Sequence, residues 1–331
     1  MSTCFTVIGS NSFSGAHFCD YLINQGHQVL GISRSPEPDP VFLPYKQNRN
    51  HQKLFQFYQA NLNSDVEKVL ALIRDSKSEF IVNFAAQGMV AQSWESPVDW
   101  YQTNVVAQVR FHDGLRKLES LRKYVHVTTP EVYGSTDGWI TEHDHFEPST
   151  PYAVSRAACD MHLKSFFHAY KFPVVFTRSA NVYGPGQQLY RIIPRALICA
   201  RTGQKLSLHG GGLSTRCFIY IKDVASATYG IAMNSTAGSS FHISTNKPIS
   251  IRELVEKLAV KARIEFDDLV EVSIDRLGKD EAYLLNSEKL REELGWTDTV
   301  GLDDGIDETL KWLDHNLDTL INQPQTYVHK N

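Results

Sequence analysis

The sequence predicts an α/β protein, a doubly wound parallel sheet with a smaller C-terminal lobe, on three observations. Short apolar runs alternate with longer amphipathic stretches through the first half. A glycine-bearing turn follows the first run directly, and past residue 180 the alternation gives way to glycine-rich connectors. The apolar runs predict strands over Phe5–Ile8, Gln28–Ile32, Phe55–Gln59, Phe80–Phe84, Lys123–Thr128 and Val174–Arg178. Between them, Gly15–Gln25, Ser64–Ser76 and Trp100–Leu118 carry helical periodicity, which makes βαβ units and a mostly parallel sheet. In the second half, Phe218–Tyr220 and Phe241–Ser244 read as strands and Ile251–Ala262 and Ser287–Leu294 as helices, the last stopped by Gly295. The polar tail from Thr326 onward is expected to fray.

The bulk composition narrows the function classes. A chain of 331 residues with 42% apolar content can bury a large core. Its net charge of −4 argues against a general nucleic-acid or membrane-surface role, since both favour a basic excess. A small-molecule partner is the expectation, with no nucleic acid and no membrane. No stretch is long and apolar enough for a membrane helix, and Met1-Ser2-Thr3 carries no basic leader. Five scattered cysteines show neither disulfide nor zinc spacing, so a cytoplasmic protein without a metal is expected.

The first predicted strand runs into Gly9-Ser10-Asn11-Ser12-Phe13-Ser14-Gly15 and then a helix. A dinucleotide pyrophosphate would there meet backbone N–H groups and the positive end of the helix dipole. Gly9, Asn11, Ser12, Phe13 and Gly15 are therefore the candidate cofactor turn, although Ser12 stands where a GxxGxxG spacing asks for glycine. The second strand ends in Ser33-Arg34-Ser35, a basic rather than acidic terminus, with Glu37 and Asp39 displaced beyond it. A basic residue here suits the 2′-phosphate of NADP, so NADP is the expected cofactor, with NAD possible.

Further on, Thr129-Pro130-Glu131-Val132-Tyr133-Gly134 follows the fifth predicted strand, and Pro151-Tyr152-Ala153-Val154-Ser155-Arg156 opens a helix some twenty residues later. These segments resemble the strand-end Ser/Thr motif and the YxxxK helix of the extended short-chain dehydrogenase/reductase family, closest to its nucleotide-sugar 4,6-dehydratases. The resemblance implies a Rossmann domain with a substrate-binding lobe and a catalytic set of Thr129, Glu131, Tyr152 and Arg156. Tyr152 would take the proton of the sugar hydroxyl and Glu131 the proton at C5. Arg156 stands in place of the lysine that lowers the tyrosine pKa and holds the nicotinamide ribose; at i+4 it shares a helix face with Tyr152. Pro130 replaces a neighbouring acid, so one glutamate would serve as base and then acid. In this the chain resembles the GDP-mannose type, as does Asn83-Phe84-Ala85-Ala86-Gln87.

The same resemblance adds Asn61, Leu62, Ala85, Ala86, Gln87 and Thr128 to the cofactor contacts. It assigns Ser93, Glu131, Asn181, Arg216 and Arg276 to the nucleotide-sugar substrate, Arg216 as a forked clamp on diphosphate oxygens and Arg276 as a second phosphate or ribose contact. The domain reading is an NAD(P)-binding unit over 1–180 with return segments about 216–245, a substrate lobe over 181–215 and 246–320, and a frayed tail over 321–331. A homodimer through Trp100–Leu118 and Ala153–Tyr170 is also implied. Two alternatives stay open: a C4 epimerase, oxidase or reductase with the same residues, and a cofactor-binding pseudoenzyme, favoured by the departures at Ser12, Pro130 and Arg156.

Overall fold

The structure, a computed structural model, describes residues 3–136, 138–273 and 284–329. Its centre is a seven-stranded parallel sheet. In spatial order the strands are Ser240–Ile243, Val174–Ser179, Lys123–Val127, Phe80–Asn83, Cys4–Ile8, Gln28–Ser33 and Phe55–Gln59. The order reverses at Cys4–Ile8, the topology of a doubly wound sheet. Each of the six strands predicted in the first half is present within a residue or so of its expected bounds.

The sheet is covered on both sides, which is why its strands read as nearly unbroken apolar runs. Phe5, Val7, Phe80, Val82, Val125 and Val175 face one core with the helices Phe13–Asn24, Ile192–Thr202 and Ile221–Asn234. Ile8, Ile81, Tyr124, Val174 and Phe176 face the other, against Val66–Asp75, Ala107–Leu115 and Pro151–Tyr170. The side chains along each strand alternate between the two layers as the pleat requires. The helix Pro151–Tyr170 starts where Thr150 accepts a hydrogen bond from the Ala153 amide at 3.1 Å and Pro151 takes a position needing no N–H.

Beyond residue 180, Asn181–Tyr183 pairs in parallel with Thr215–Tyr220, which pairs antiparallel with Pro248–Ser250. The chain then returns to the main sheet through Ile221–Asn234 and Ser240–Ile243. A parallel pair of Leu206–His209 and Val270–Ser273 completes this lobe. The segment 246–273 supplies the helix Ile251–Ala262, fixed by a reciprocal capping box between Ser250 and Glu253.

Two stretches differ from the sequence expectation. The single helix expected over Trp100–Leu118 is three segments: an α-helix Pro97–Tyr101, a π-turn Gln102–Val106 and an α-helix Ala107–Leu115. The extra residue of the π-turn accompanies an inward-facing Asn104, which is fully buried. The tail, expected to fray, is docked through residue 329. The His329 ring stacks on Trp100 with centroids 5.1 Å apart and meets Asp99 at 2.8 Å, while Tyr327 packs edge-on to Tyr190. Polar composition concealed these aromatic contacts. Among the described residues no helix is long and apolar enough to cross a membrane.

Candidate active site

Parallel register gathers the site. Ile8 is level with Ile32 and with Asn83, Asn83 with His126, and Val127 with Thr177. The residues that follow these positions therefore emerge along one edge, the carboxyl ends of the strands, where open α/β sheets bind ligands. Gly9, Ser33-Arg34, Phe84–Gln87 and Thr128–Glu131 all stand on that edge.

At the first turn the backbone is drawn tight. Gly9 has φ +82°, and a Cβ there would lie 2.9 Å from the Ala85 nitrogen; a Cβ on Gly15 would lie 2.2 Å from the Gly9 carbonyl oxygen. Both positions thus require glycine. Ser12 caps the helix Phe13–Asn24: its hydroxyl donates to the Gly9 carbonyl at 2.7 Å and accepts from the Gly15 amide at 3.1 Å. The hydroxyl is thus turned into the turn itself. Asn11 tethers the turn to the second strand, its backbone N–H donating to Ser33 at 2.9 Å and its amide to the Ser35 and Pro36 carbonyls at 3.0 Å each. Phe13 is buried against His17. By its construction the first turn of the helix leaves amides without intrahelical acceptors.

Arg34 leans toward Gln87, its guanidinium 3.5 Å from the side-chain oxygen. The two acids past the strand are engaged elsewhere: Glu37 accepts from Tyr45 at 2.8 Å and from Lys46 at 2.7 Å, and Asp39 caps the Val41 amide at 2.9 Å. Asn61 forms a local turn, accepting from the Asn63 amide at 3.0 Å, and Leu62 beside it is buried. The Ala85 amide donates to Asn83 at 2.9 Å, and Ala86 is partly exposed between it and the buried Gln87.

Asn104, which sequence reading missed, fixes that loop. It accepts from the Gln87 amide at 2.8 Å, donates to the Gln87 carbonyl at 3.0 Å and reaches Ser155 at 2.9 Å. One side chain thereby ties the fourth-strand loop to the Tyr152 helix. The π-turn that turns it inward has no sequence signature here, which is why no signal revealed it.

The catalytic candidates converge. Thr129, Glu131, Arg156 and Arg191 all bear on the Tyr152 phenol electrostatically. Burial raises the phenol pKa first and Glu131 raises it further, while Arg156, Thr129 and Arg191 pull it down. Thr129 also accepts from the Glu131 amide at 3.3 Å, and so braces the turn that carries the glutamate. Arg191 was not singled out in the sequence.

Behind Tyr152 the helix carries buried charge. Arg156 is 2% exposed; one guanidinium nitrogen donates to the Val127 carbonyl and lies 3.3 Å from His126 Nε2. Asp160, one turn on, is fully buried and accepts from Arg178 at 2.6 Å and from Thr128 at 3.1 Å. Burial pushes the Asp160 carboxyl up, but Arg178, His126 and Arg156 outweigh it and hold it below the usual carboxylate range. The Thr128 hydroxyl is therefore directed into this cluster. Asp160 lies at i+4 from Arg156, a spacing visible in the sequence, whereas Arg178 sits in a strand that otherwise reads as apolar core.

The substrate candidates are more dispersed. Asn181 opens the small sheet opposite Phe218, and Arg216 lies in the neighbouring strand, half-buried, donating to the Thr215 carbonyl at 2.8 Å. Ser93 is buried and its hydroxyl turns back to the Val90 carbonyl at 2.6 Å. Arg276 lies outside the described residues.

The chain is similar to known proteins over nearly its whole length. A profile of the family described as GDP-mannose 4,6 dehydratase matches residues 6–309. The dTDP-D-glucose 4,6-dehydratase of Mus musculus is 31% identical over 321 residues, covering 94% of this chain and 88% of that protein. That of Homo sapiens is 29% identical over 316 residues, covering 94% and 89%. The crystal structure of a dTDP-glucose 4,6-dehydratase from Streptomyces venezuelae, with NAD bound, superposes at a TM-score of 0.88 and 26% identity over 96% of this chain and 98% of that one. A UDP-glucose 4-epimerase from Thermotoga maritima, at 23% identity and a TM-score of 0.86 over 95% and 100%, shares the fold. With a glycine turn at the sheet's switch point and a tyrosine helix facing it, the chain belongs to the GDP-mannose 4,6-dehydratase family, enzymes of the extended short-chain dehydrogenase/reductase type.

Proposed function

We propose that Tyr152, Thr129, Glu131 and Arg156 carry out nucleotide-sugar 4,6-dehydration, the activity named for the dehydratase relatives above, with NADP as the hydride carrier. The observation that carries this reading is the convergence of a threonine, a glutamate and an arginine on one buried phenol. The residues fit a dinucleotide: Gly9 and Gly15 let the turn close tightly onto the start of the helix Phe13–Asn24, whose first amides lack intrahelical acceptors, and two Arg156 nitrogens, Nε and Nη1, are buried without a hydrogen-bond partner in the protein. A nicotinamide held at this turn would supply hydride chemistry, as acceptor from C4 of the hexose and donor to C6.

The chain's own residues handle the protons. Tyr152 accepts the proton of the 4-hydroxyl, with Thr129 orienting the phenol and Arg156 offsetting the effect of burial. Glu131 removes the proton at C5, acidified by the new ketone at C4. Since Pro130 offers no acid, Glu131 then delivers its proton to the departing C6 hydroxyl. A C4 epimerase needs no base at C5, so Glu131 favours dehydration. Incubation with NADP and a panel of sugar nucleotides, read by mass spectrometry, is expected to show loss of one water; a product retaining oxygen at C6 overturns the reading.

The preference for NADP rests on Arg34 together with the engagement of Glu37 and Asp39 by other partners. An unengaged carboxylate at the strand end would hold a ribose hydroxyl and repel a phosphate; a guanidinium does the opposite. Arg34→Ala is expected to raise the KM for NADP on the order of tenfold and to leave that for NAD little changed; equal effects on both would overturn the preference. Arg216, Asn181 and Arg276 are proposed to hold the sugar diphosphate. A homodimer is proposed through the exposed apolar side chains of Val98, Tyr101, Val106, Val154 and Met161, which lie on two neighbouring helical stretches.

A further inference from the structure

Resting on the roles just given to Tyr152 and Arg156, we infer that His126 is a positioning residue. With the Val127 carbonyl it seats one nitrogen of Arg156 on the end of the strand Lys123–Val127, so that arginine rather than lysine is the working side chain at 156.

The geometry is that of a fork with one prong anchored. Nη2 of Arg156 donates to the Val127 carbonyl and lies 3.3 Å from His126 Nε2, whereas Nε and Nη1 are buried and make no hydrogen bond within the protein. Guanidinium nitrogens can only donate, so the contact is a hydrogen bond in the tautomer whose proton sits on His126 Nδ1, with Asp160 facing the same nitrogen at 3.3 Å. Burial keeps the ring neutral, pushing it down to about 4, so that one of its two nitrogens is an acceptor. A lysine carries one nitrogen on a flexible stem and cannot hold the strand end and act on Tyr152 from fixed positions at once.

The surrounding charges leave Arg156 as the effective one. Asp160 gives one oxygen to Arg178 at 2.6 Å and to Thr128 at 3.1 Å, and its other oxygen lies 3.3 Å from His126 Nε2. Asp160 and Arg178 therefore largely cancel. His112, Tyr124 and Cys159, buried and within the field of the same guanidinium, are neutral and add no compensating charge. Facing Tyr152 are Glu131, Thr129, Arg156 and Arg191, so a guanidinium released from its seat removes one of the two cations that favour the phenolate.

The test compares His126→Gln, His126→Leu and Arg156→Lys, each checked for native circular dichroism, by kcat and KM across pH. Glutamine can place an acceptor oxygen near the position of Nε2 and is expected to keep kcat within about threefold of wild type. Leucine and the lysine variant are expected to lower kcat by roughly ten- to hundredfold, with little change in KM, and to move the ascending limb of the kcat profile upward by about one pH unit. Arg156→Lys at or above wild-type kcat, or His126→Leu with the limb unmoved, overturns the inference. If His126→Leu does not fold, Arg156→Lys and the retained activity of His126→Gln decide it. If the wild type itself dehydrates no sugar nucleotide, the proposed function fails separately. The titration of Tyr152, followed by ultraviolet difference spectra against Tyr152→Phe in each background, then reads the same shift without turnover.

Discussion

The glycine turn and the tyrosine helix both depart from the pattern of their family, and the two departures are absorbed in different ways. At the turn, Ser12 replaces a glycine, and the accommodation is made by residues three positions away on either side: the hydroxyl bonds the Gly9 carbonyl and the Gly15 amide. At the helix, Arg156 replaces a lysine, and the accommodation draws on Val127 and His126 from one strand, Asp160 from the next helical turn and Arg178 from a second strand. A substitution met by local hydrogen bonds perturbs little beyond its own turn. One met by buried charges from several elements ties catalysis to the stability of the core.

The largest effect should fall on chemistry alone. Tyr152→Phe keeps the buried ring and removes the proton acceptor, so kcat should drop by roughly 10²- to 10⁴-fold with KM and the thermal midpoint nearly unchanged. A matching loss of stability would instead make the phenol a structural member of the charge cluster. Asp160→Asn should do the reverse: it leaves the buried Arg178 guanidinium without its counter-charge and should cost about 3–5 kcal/mol in urea unfolding. A cost under about 1 kcal/mol would show that the cluster is no more consequential than the turn.

Acid should act on both regions together. Burial pushes His126 and His17 down to about 4 and His242 to about 3, so all three are neutral in the fold. In the unfolded chain they take up protons near their usual value of about 6.5. The unfolded state thus binds more protons between about 6.5 and 4, and the stability these groups contribute is present above that window and lost as pH falls through it. The slope should be on the order of 1.4 kcal/mol per pH unit for each histidine. Urea midpoints at pH 7 and pH 5 check it, and equal midpoints would mean that these rings are not buried neutral.

What the sequence made legible follows the same division. Periodicity placed the sheet strands within a residue or so, because strands covered on both faces must be apolar throughout. The turn was readable for a similar reason: strand end, glycines and helix start are neighbours in the chain, although the capping role of Ser12 emerged only from the structure. Tyr152, Thr129 and Glu131 came from motif resemblance, and the structure gathers them on one phenol. The cluster behind them was not legible. Nothing local to Arg178 says that it leaves a core strand to meet Asp160, and nothing local to Asn104 says that a π-turn aims it at Gln87. The aromatic docking of Tyr327 and His329 was hidden equally, since its partners lie more than a hundred residues upstream.

The smallest effect tests the local half of the contrast. Ser12→Gly restores the family glycine and removes the cap, and helix N-caps lose only a few tenths of a kcal/mol when glycine replaces serine. Stability should barely move, and affinity for the dinucleotide should be unchanged or slightly higher, since the backbone then gains room for a phosphate. Gly15→Ala is the control from the same turn, because its Cβ would lie 2.2 Å from the Gly9 carbonyl oxygen and has no flexible neighbour to displace. It should weaken dinucleotide binding measurably by fluorescence titration while Ser12→Gly does not. A loss of binding on Ser12→Gly as large as that of Gly15→Ala would mean that the serine holds the ligand as well as the helix, and the turn would then have departed from its family in function as the tyrosine helix has.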